Sequence, residues 1–138
     1  MRTFIYILGI CGTILFGTRY NIFNSKKFTD DLTELITVYY PEHKSMTQSS
    51  VFNSDLGIIT SYKIKFSNGT IIEYGKNGKV IFAESYDDDI IPLILLPKHI
   101  QKHLEKNYLG INVIKYYADI EKKEYVVILE NGLKIEFN

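Results

Sequence analysis

His99 and His103 stand four apart in a stretch with helical spacing, so both imidazoles reach one side of a helix. Such a pair can hold a divalent metal. The zinc-hydrolase pattern also needs a glutamate directly after the first histidine, and Ile100 stands there. The only other histidine is His43, in the matching post-helix region upstream. The preferred reading is two solvated imidazoles flanking a core stripe, with His99 and His103 kept as the metal candidates. Asp87-Asp88-Asp89 lacks the alternating ligands and central glycine of a calcium loop, and reads as a charged link. Glu73 and Glu136 recur at equivalent places in a repeated segment. A carboxylate pair can do acid–base work, but recurrence more simply marks one outward strand position used twice, opposite lysines such as Lys63 and Lys65. The chain has no Gly-x-Ser-x-Gly elbow, no phosphate-cradling loop and no dinucleotide fingerprint. The expectation is a protein that is not an enzyme and takes no cofactor.

The elements that carry these residues come in two sets. Tyr62-Lys-Ile-Lys-Phe-Ser-Asn-Gly-Thr-Ile-Ile-Glu-Tyr74 returns 63 positions later as Tyr125-Val-Val-Ile-Leu-Glu-Asn-Gly-Leu-Lys-Ile-Glu-Phe137, with five identities. Upstream of each copy lies a helix-like stretch followed by a tyrosine, Tyr40 or Tyr108. A repeat of this length is one supersecondary unit used twice.

Thr29-Asp30-Asp31 has the composition of a helix start, and Leu32, Leu35, Ile36 and Tyr39 follow as one apolar stripe that Pro41 ends. Residues 58–67 alternate as a strand, with Tyr62, Ile64 and Phe66 on one face and Lys63 and Lys65 on the other. Asn68-Gly69, Asn77-Gly78 and Asn131-Gly132 are hairpin signals, read as two-residue turns with positive φ at both positions. Pro97 opens a second helix with Ile100 and Leu104 on its core face, and Gly110 ends it. Each unit is a helix followed by an antiparallel meander, whose one apolar face the helix covers. The expected fold is α+β: two tandem helix-plus-meander repeats, residues 28–84 and 97–138, joined by a linker over 85–96. They form one sheet of about seven strands with both helices on one face.

The sheet face away from the helices is the best candidate for function. The repeat places Lys63, Lys65, Glu73, Val126, Ile128, Lys134 and Glu136 there. Apolar Val126 and Ile128 among charges suit contact with another protein. The competing reading buries those two under the apolar segment 90–96. Tyr116 and Tyr117 are adjacent, so one of them must point outward.

Residues 4–16 are uncharged and mostly apolar, behind Arg2 and before Gly17. That is the pattern of a secretory leader, expected over residues 1–17. A run of this length is short of the roughly 20 residues that span a bilayer. An uncleaved anchor is the alternative, and the only membrane contact expected. Cys11, the single cysteine, falls inside the run, so the mature chain has no thiol for a disulfide or a nucleophile. Net charge is formally zero, without the basic excess of a nucleic-acid binder. Tyrosine is abundant, 11 residues, and suits strands that are wet on one side.

With these motifs together, the chain resembles the PepSY-like, beta-lactamase-inhibitor-like family of secreted bacterial proteins. The carrying pattern is Leu96-Pro97-x-x-Ile100-x-x-x-Leu104, Tyr108, then Tyr125-x-Val127-x-Leu129-x-Asn131-Gly132-x-x-Ile135-x-Phe137. It covers about residues 28–138, with Thr29 where a helix-starting proline would stand. The resemblance implies a non-enzymatic envelope protein, since the related inhibitor fold grips its target enzyme with the exposed sheet face and PepSY domains are associated with protease regulation. The chain departs from such interfaces in having no tryptophan, which leaves the anchoring role to tyrosine. The expectation is a monomeric periplasmic or secreted module that binds or inhibits a protein, an envelope hydrolase or protease for example. The alternative is a small ligand, peptide or metal held in the groove between the repeats.

Overall fold

The structure, a computed structural model, describes residues 2–6, 23, 25–42, 46–53, 58–87 and 89–138. Eight strands run β1 (Arg2–Tyr6), β2 (Met46–Asn53), β3 (Ile58–Phe66), β4 (Ile71–Gly75), β5 (Val80–Glu84), β6 (Val113–Asp119), β7 (Glu124–Leu129) and β8 (Lys134–Phe137). They make one antiparallel sheet in sequence order, β1-β2-β3-β4-β5-β6-β7-β8. The α+β class holds, with two helices and one antiparallel sheet. Among the described residues the strand count is eight, against about seven expected. The addition is β1, whose Thr3, Phe4, Ile5 and Tyr6 have strand-forming side chains. It comes from the segment read as a leader and pairs with β2. The rest of that expectation, Cys11 included, lies outside the described residues.

The hairpins differ from the expected two-residue form. In each, only the glycine takes a positive φ: Gly69 at +101°, Gly78 at +76° and Gly132 at +85°. Gly69 N–H donates to Phe66 O at 3.0 Å, and Phe66 N–H to Thr70 O at 2.8 Å. Gly78 with Gly75 and Lys79, and Gly132 with Leu129 and Leu133, repeat this pair of bonds. The loop is therefore one residue longer, an ordinary turn closed by a left-handed glycine. The asparagine side chain makes the longer form favourable. Asn68, Asn77 and Asn131 each accept, through Oδ1, the N–H two residues on, all at 3.0 Å.

Helix α1 (Lys26–Glu34) is capped by Ser25, whose Oγ accepts Phe28 N–H at 3.2 Å. It starts ahead of the expected Thr29 because Phe28 already belongs to the stripe, stacked above Leu32 and Leu35 at helical spacing. A π-helical turn, Leu35–Tyr39, carries the helix on to Tyr40, just ahead of Pro41. Helix α2 (Lys98–Asn107) has Pro97 at its N-cap and buries Ile100 and Leu104.

Both helices lie on one face of the sheet. Phe28 packs edge-on against Tyr62 and Tyr74, with ring centroids 5.5 and 5.1 Å apart. Beneath the helices, Ile64, Ile72, Ala83, Val127 and Leu129 are fully buried. Each large aliphatic there contributes about 1.5–3 kcal/mol by leaving water. Tyr40 stacks on Phe66 at 4.5 Å and donates its hydroxyl to Ile90 O at 2.9 Å. Within residues 85–96, expected as a linker, Ile91 and Leu96 are buried in the core, and Ile91 N–H bonds Val113 O at 2.9 Å. An apolar run of this kind gains more by packing than by bridging through water.

Candidate functional site

The sheet face opposite the helices is built by register. Reading across the strands, one row is Lys63, Glu73, Phe82, Tyr117, Val126 and Glu136. The next is Lys65, Ile71, Glu84, Lys115, Ile128 and Lys134. All seven residues singled out in the sequence thus lie on one face, in two adjoining rows. The structure adds Phe82, Tyr117, Glu84 and Lys115 between them.

Much of the face is apolar. Ile71, Phe82, Val126 and Ile128 are half-buried, and Tyr117 is 50% exposed. Of the adjacent tyrosines, Tyr116 points into the core at 1% exposure and Tyr117 points out. The apolar segment 90–96 packs on the helix side, so it leaves Val126 and Ile128 on the open face; no described helix or connector covers them.

Charges on this face are paired along and across strands. Glu73 accepts Ser61 Oγ–H at 2.6 Å and faces Lys63 Nζ at 3.6 Å. Glu84 and Lys115 meet at 3.1 Å in the middle of the sheet, and Lys115 Nζ also sits 5.7 Å from the Phe82 ring centroid. Lys134 and Glu136 pair at the β8 edge, where the hydrogen bond from Lys134, then its charge, holds the Glu136 carboxyl below its usual range. Lys65 is exposed beside Ile71. Pairing matters for docking, because a charge already matched within its own face is less costly to desolvate. The result is a mixed face, apolar residues around a central Glu84–Lys115 pair with further charges at its sides, which suits contact with another protein.

The catalytic and metal candidates do not assemble. His99 packs edge-on against Tyr125 at 5.5 Å and Phe137 at 6.4 Å, and His103 against Phe137 at 5.2 Å. The two imidazoles therefore rest on the aromatic ends of β7 and β8. Among the described residues, no group of three His, Cys, Asp or Glu side chains could hold a metal. His43 and Asp88 lie outside the described residues. Asp89 serves the fold. Its Oδ2 accepts Asn68 Nδ2–H at 2.8 Å and Thr70 Oγ1–H at 2.9 Å, latching the segment after β5 onto the β3–β4 turn. Glu73 and Glu136 sit on different strands with separate lysine partners, Lys63 and Lys134.

Sequence reasoning missed Phe82 and left open which of Tyr116 and Tyr117 faces outward. The β4–β5 pairing has a bulge between Glu73 and Tyr74 on one side and Phe82 and Val80 on the other, so parity counted from Val80 gives the wrong face for Phe82.

Solved structures share this fold. A crystal structure described as a "putative calcium-regulated periplasmic protein" from Bacteroides thetaiotaomicron is 27% identical, covering 77% of this chain and 79% of its own, with a TM-score of 0.55. A "putative periplasmic protein from DUF2874 family" from Bacteroides vulgatus is 26% identical, covering 77% and 78%, at 0.57. A second Bacteroides vulgatus structure, described as a "putative periplasmic protein of unknown function", shares the fold at 24% identity and 0.54, covering 77% and 80%. The comparison with curated proteins finds no match. The family model described as "Putative beta-lactamase-inhibitor-like, PepSY-like" matches residues 60–138, more than half of the 138. That span holds the sheet from β4 through β8, most of β3, and all of α2, and on it the chain belongs to this PepSY-like family.

Proposed function

We propose that this chain is a non-enzymatic binding module that docks a partner protein on the open face of its sheet. The observation that carries the reading is the cross-strand set of Ile71, Phe82, Tyr117, Val126 and Ile128, left uncovered around the central Glu84–Lys115 pair. The mechanism is occlusion. A preformed sheet face needs little ordering on binding, so its apolar contacts go into affinity. The inhibitor-like family supports a hydrolase or protease as the partner. In this reading the two helix-and-meander units are a tandem pair with merged sheets, and the shared order of elements supports that.

The neighbours described as periplasmic support an envelope location. So does the leader-like run over 1–17. No helix among the described residues is long and apolar enough to cross a membrane. An exported chain lighter by residues 1–17 in intact-mass spectrometry is the expected result. A full-length chain sedimenting with membranes would support the anchor instead.

The test of the docking face uses immobilised protein, envelope extract and a variant pair. A captured hydrolase should lose activity in proportion to added protein. Tyr117→Asp with Lys65→Glu should abolish both capture and inhibition while leaving the thermal midpoint within a few degrees of wild type, as exposed positions allow. Undiminished capture by this variant would remove the sheet face from the mechanism.

A further inference from the structure

The helix side of the sheet carries a second concavity, independent of the open face. It is a groove of about 670 Å³, in the size range of small-molecule sites, which run from about 300 to 1,000 Å³. Tyr74, Val80 and Tyr116 line it from the sheet, Leu35 and Tyr39 from the first helical segment, and Leu95 and Leu96 from the segment before α2. Tyr39 and Ile94, 43% and 57% exposed, leave its mouth apolar.

Two features separate it from a packing gap. The first is a pair of hydroxyls. Tyr74 and Tyr116 are 8% and 1% exposed, and neither Oη makes a hydrogen bond among the described residues. Buried tyrosine hydroxyls almost always have a partner, and both residues line the groove that would supply one. The second is a division of charge. Asp31 and Glu34 come from α1, whereas Lys98 and His99 come from the first turn of α2, and Lys79 from the β4–β5 turn. The carboxylates of Asp31 and Glu34 and the ammonium groups of Lys79 and Lys98 make no ion pair among the described residues. The α2 N-terminus has no side-chain cap, so its first N–H groups stay available to an anion.

We propose that the groove binds a short peptide with free termini and apolar side chains. The ammonium end lies against Asp31 and Glu34. The carboxylate end lies against Lys98 and the first turn of α2. Side chains rest on Leu35, Ile94 and Leu95, and the backbone amides meet the hydroxyls of Tyr74 and Tyr116. A fatty acid answers only the basic wall and leaves both carboxylates of α1 facing its tail.

Calorimetry of the full chain tests this with trileucine as the probe, beside N-acetyl-trileucine, trileucine amide and decanoate. Trileucine should bind with Kd under about 1 mM, and blocking either terminus should weaken it about tenfold. Asp31→Asn with Glu34→Gln should erase the preference for a free amine. Tyr116→Phe keeps the ring and removes the unpartnered hydroxyl. It should weaken trileucine about fivefold without lowering the thermal midpoint, an effect a purely structural tyrosine would not give. The open-face variant Tyr117→Asp with Lys65→Glu should bind trileucine as wild type does, which separates the two sites. No heat from trileucine at about 10 mM, equal binding of the acetylated form, or tighter binding of decanoate would each overturn the proposal.

Discussion

Thr70 shows how much one hydroxyl can hold. It is fully buried at the end of the β3–β4 turn. Its Oγ1–H donates to Asp89 Oδ2 at 2.9 Å, and the same oxygen accepts Tyr86 N–H at 3.0 Å. Thr70→Val keeps the shape and removes both bonds, leaving a buried N–H and part of a carboxylate unsatisfied. The expected loss is about 1–3 kcal/mol, read as a lower denaturation midpoint at unchanged slope. An unchanged midpoint would mean that water replaces the hydroxyl. Nothing in the sequence marks Thr70, because its partners lie 16 and 19 residues away. Asn68 and Gly69 beside it were legible, since the bonds that close their turn are local. The same contrast runs through the candidate face. Lys63, Lys65, Glu73, Val126, Ile128, Lys134 and Glu136 follow from alternation within single strands. Tyr116 and Tyr117 could not be told apart from sequence, because either ring can fill a core position, and only the pairing of Ala83 with Tyr116 decides it.

At the scale of elements, the β4–β5 hairpin carries a strain point that the alternation rule cannot see. A Cβ on Gly75 would stand 2.9 Å from Ile81 Cγ2, closer than carbon atoms approach. Ile81 occupies the bulge that re-aims Phe82 onto the open face. Glycine is needed at 75 for space, since its backbone is not in the left-handed region that Gly69, Gly78 and Gly132 occupy. Gly75→Ala should therefore cost about 1–3 kcal/mol by overpacking. Ile81→Ala should relieve it, so the double variant should be more stable than the sum of the two single losses predicts. Additive losses in chemical denaturation would place the cost in the strand backbone. The helices and hairpins were legible because a stripe, a cap or an Asn-Gly pair announces them locally. The segment 85–96 was not, since whether an apolar run bridges or packs depends on the groove it meets. The inter-helix groove was legible only as a location between two units; its tyrosine floor and divided charge arise from residues that β4, β6, α1 and α2 bring together from four distant stretches.

For the whole molecule, the abundance of tyrosine has a cost that appears at high pH. Tyr40, Tyr62, Tyr74 and Tyr116 are buried in one connected core. Burial pushes the Tyr62 phenol up to about 12 from 10.0. It raises the other three further, with Asp89 and then Tyr74 adding to the effect at Tyr40, Asp31 and then Tyr62 at Tyr74, and Tyr125 at Tyr116. These groups are neutral when protonated, and the folded state favours the neutral form. Their contribution to stability is therefore full below the unfolded value near 10 and is lost as pH rises through the folded values, about 12 for Tyr62 and higher for the rest. The thermal midpoint should hold level, as far as tyrosines are concerned, to about pH 9 and fall steadily above about pH 10. The part of the tyrosinate absorbance that belongs to the buried phenols should rise in step with loss of the folded signal, because they ionise only as the core opens. Tyr116→Phe should make the alkaline fall shallower while keeping the neutral-pH midpoint. A midpoint that stays level to about pH 12, or a fall of equal slope in Tyr116→Phe, would mean that the core admits water to its phenols without unfolding. That outcome would also weaken the groove proposal, which needs a dry floor for the hydroxyls of Tyr74 and Tyr116 to select a ligand.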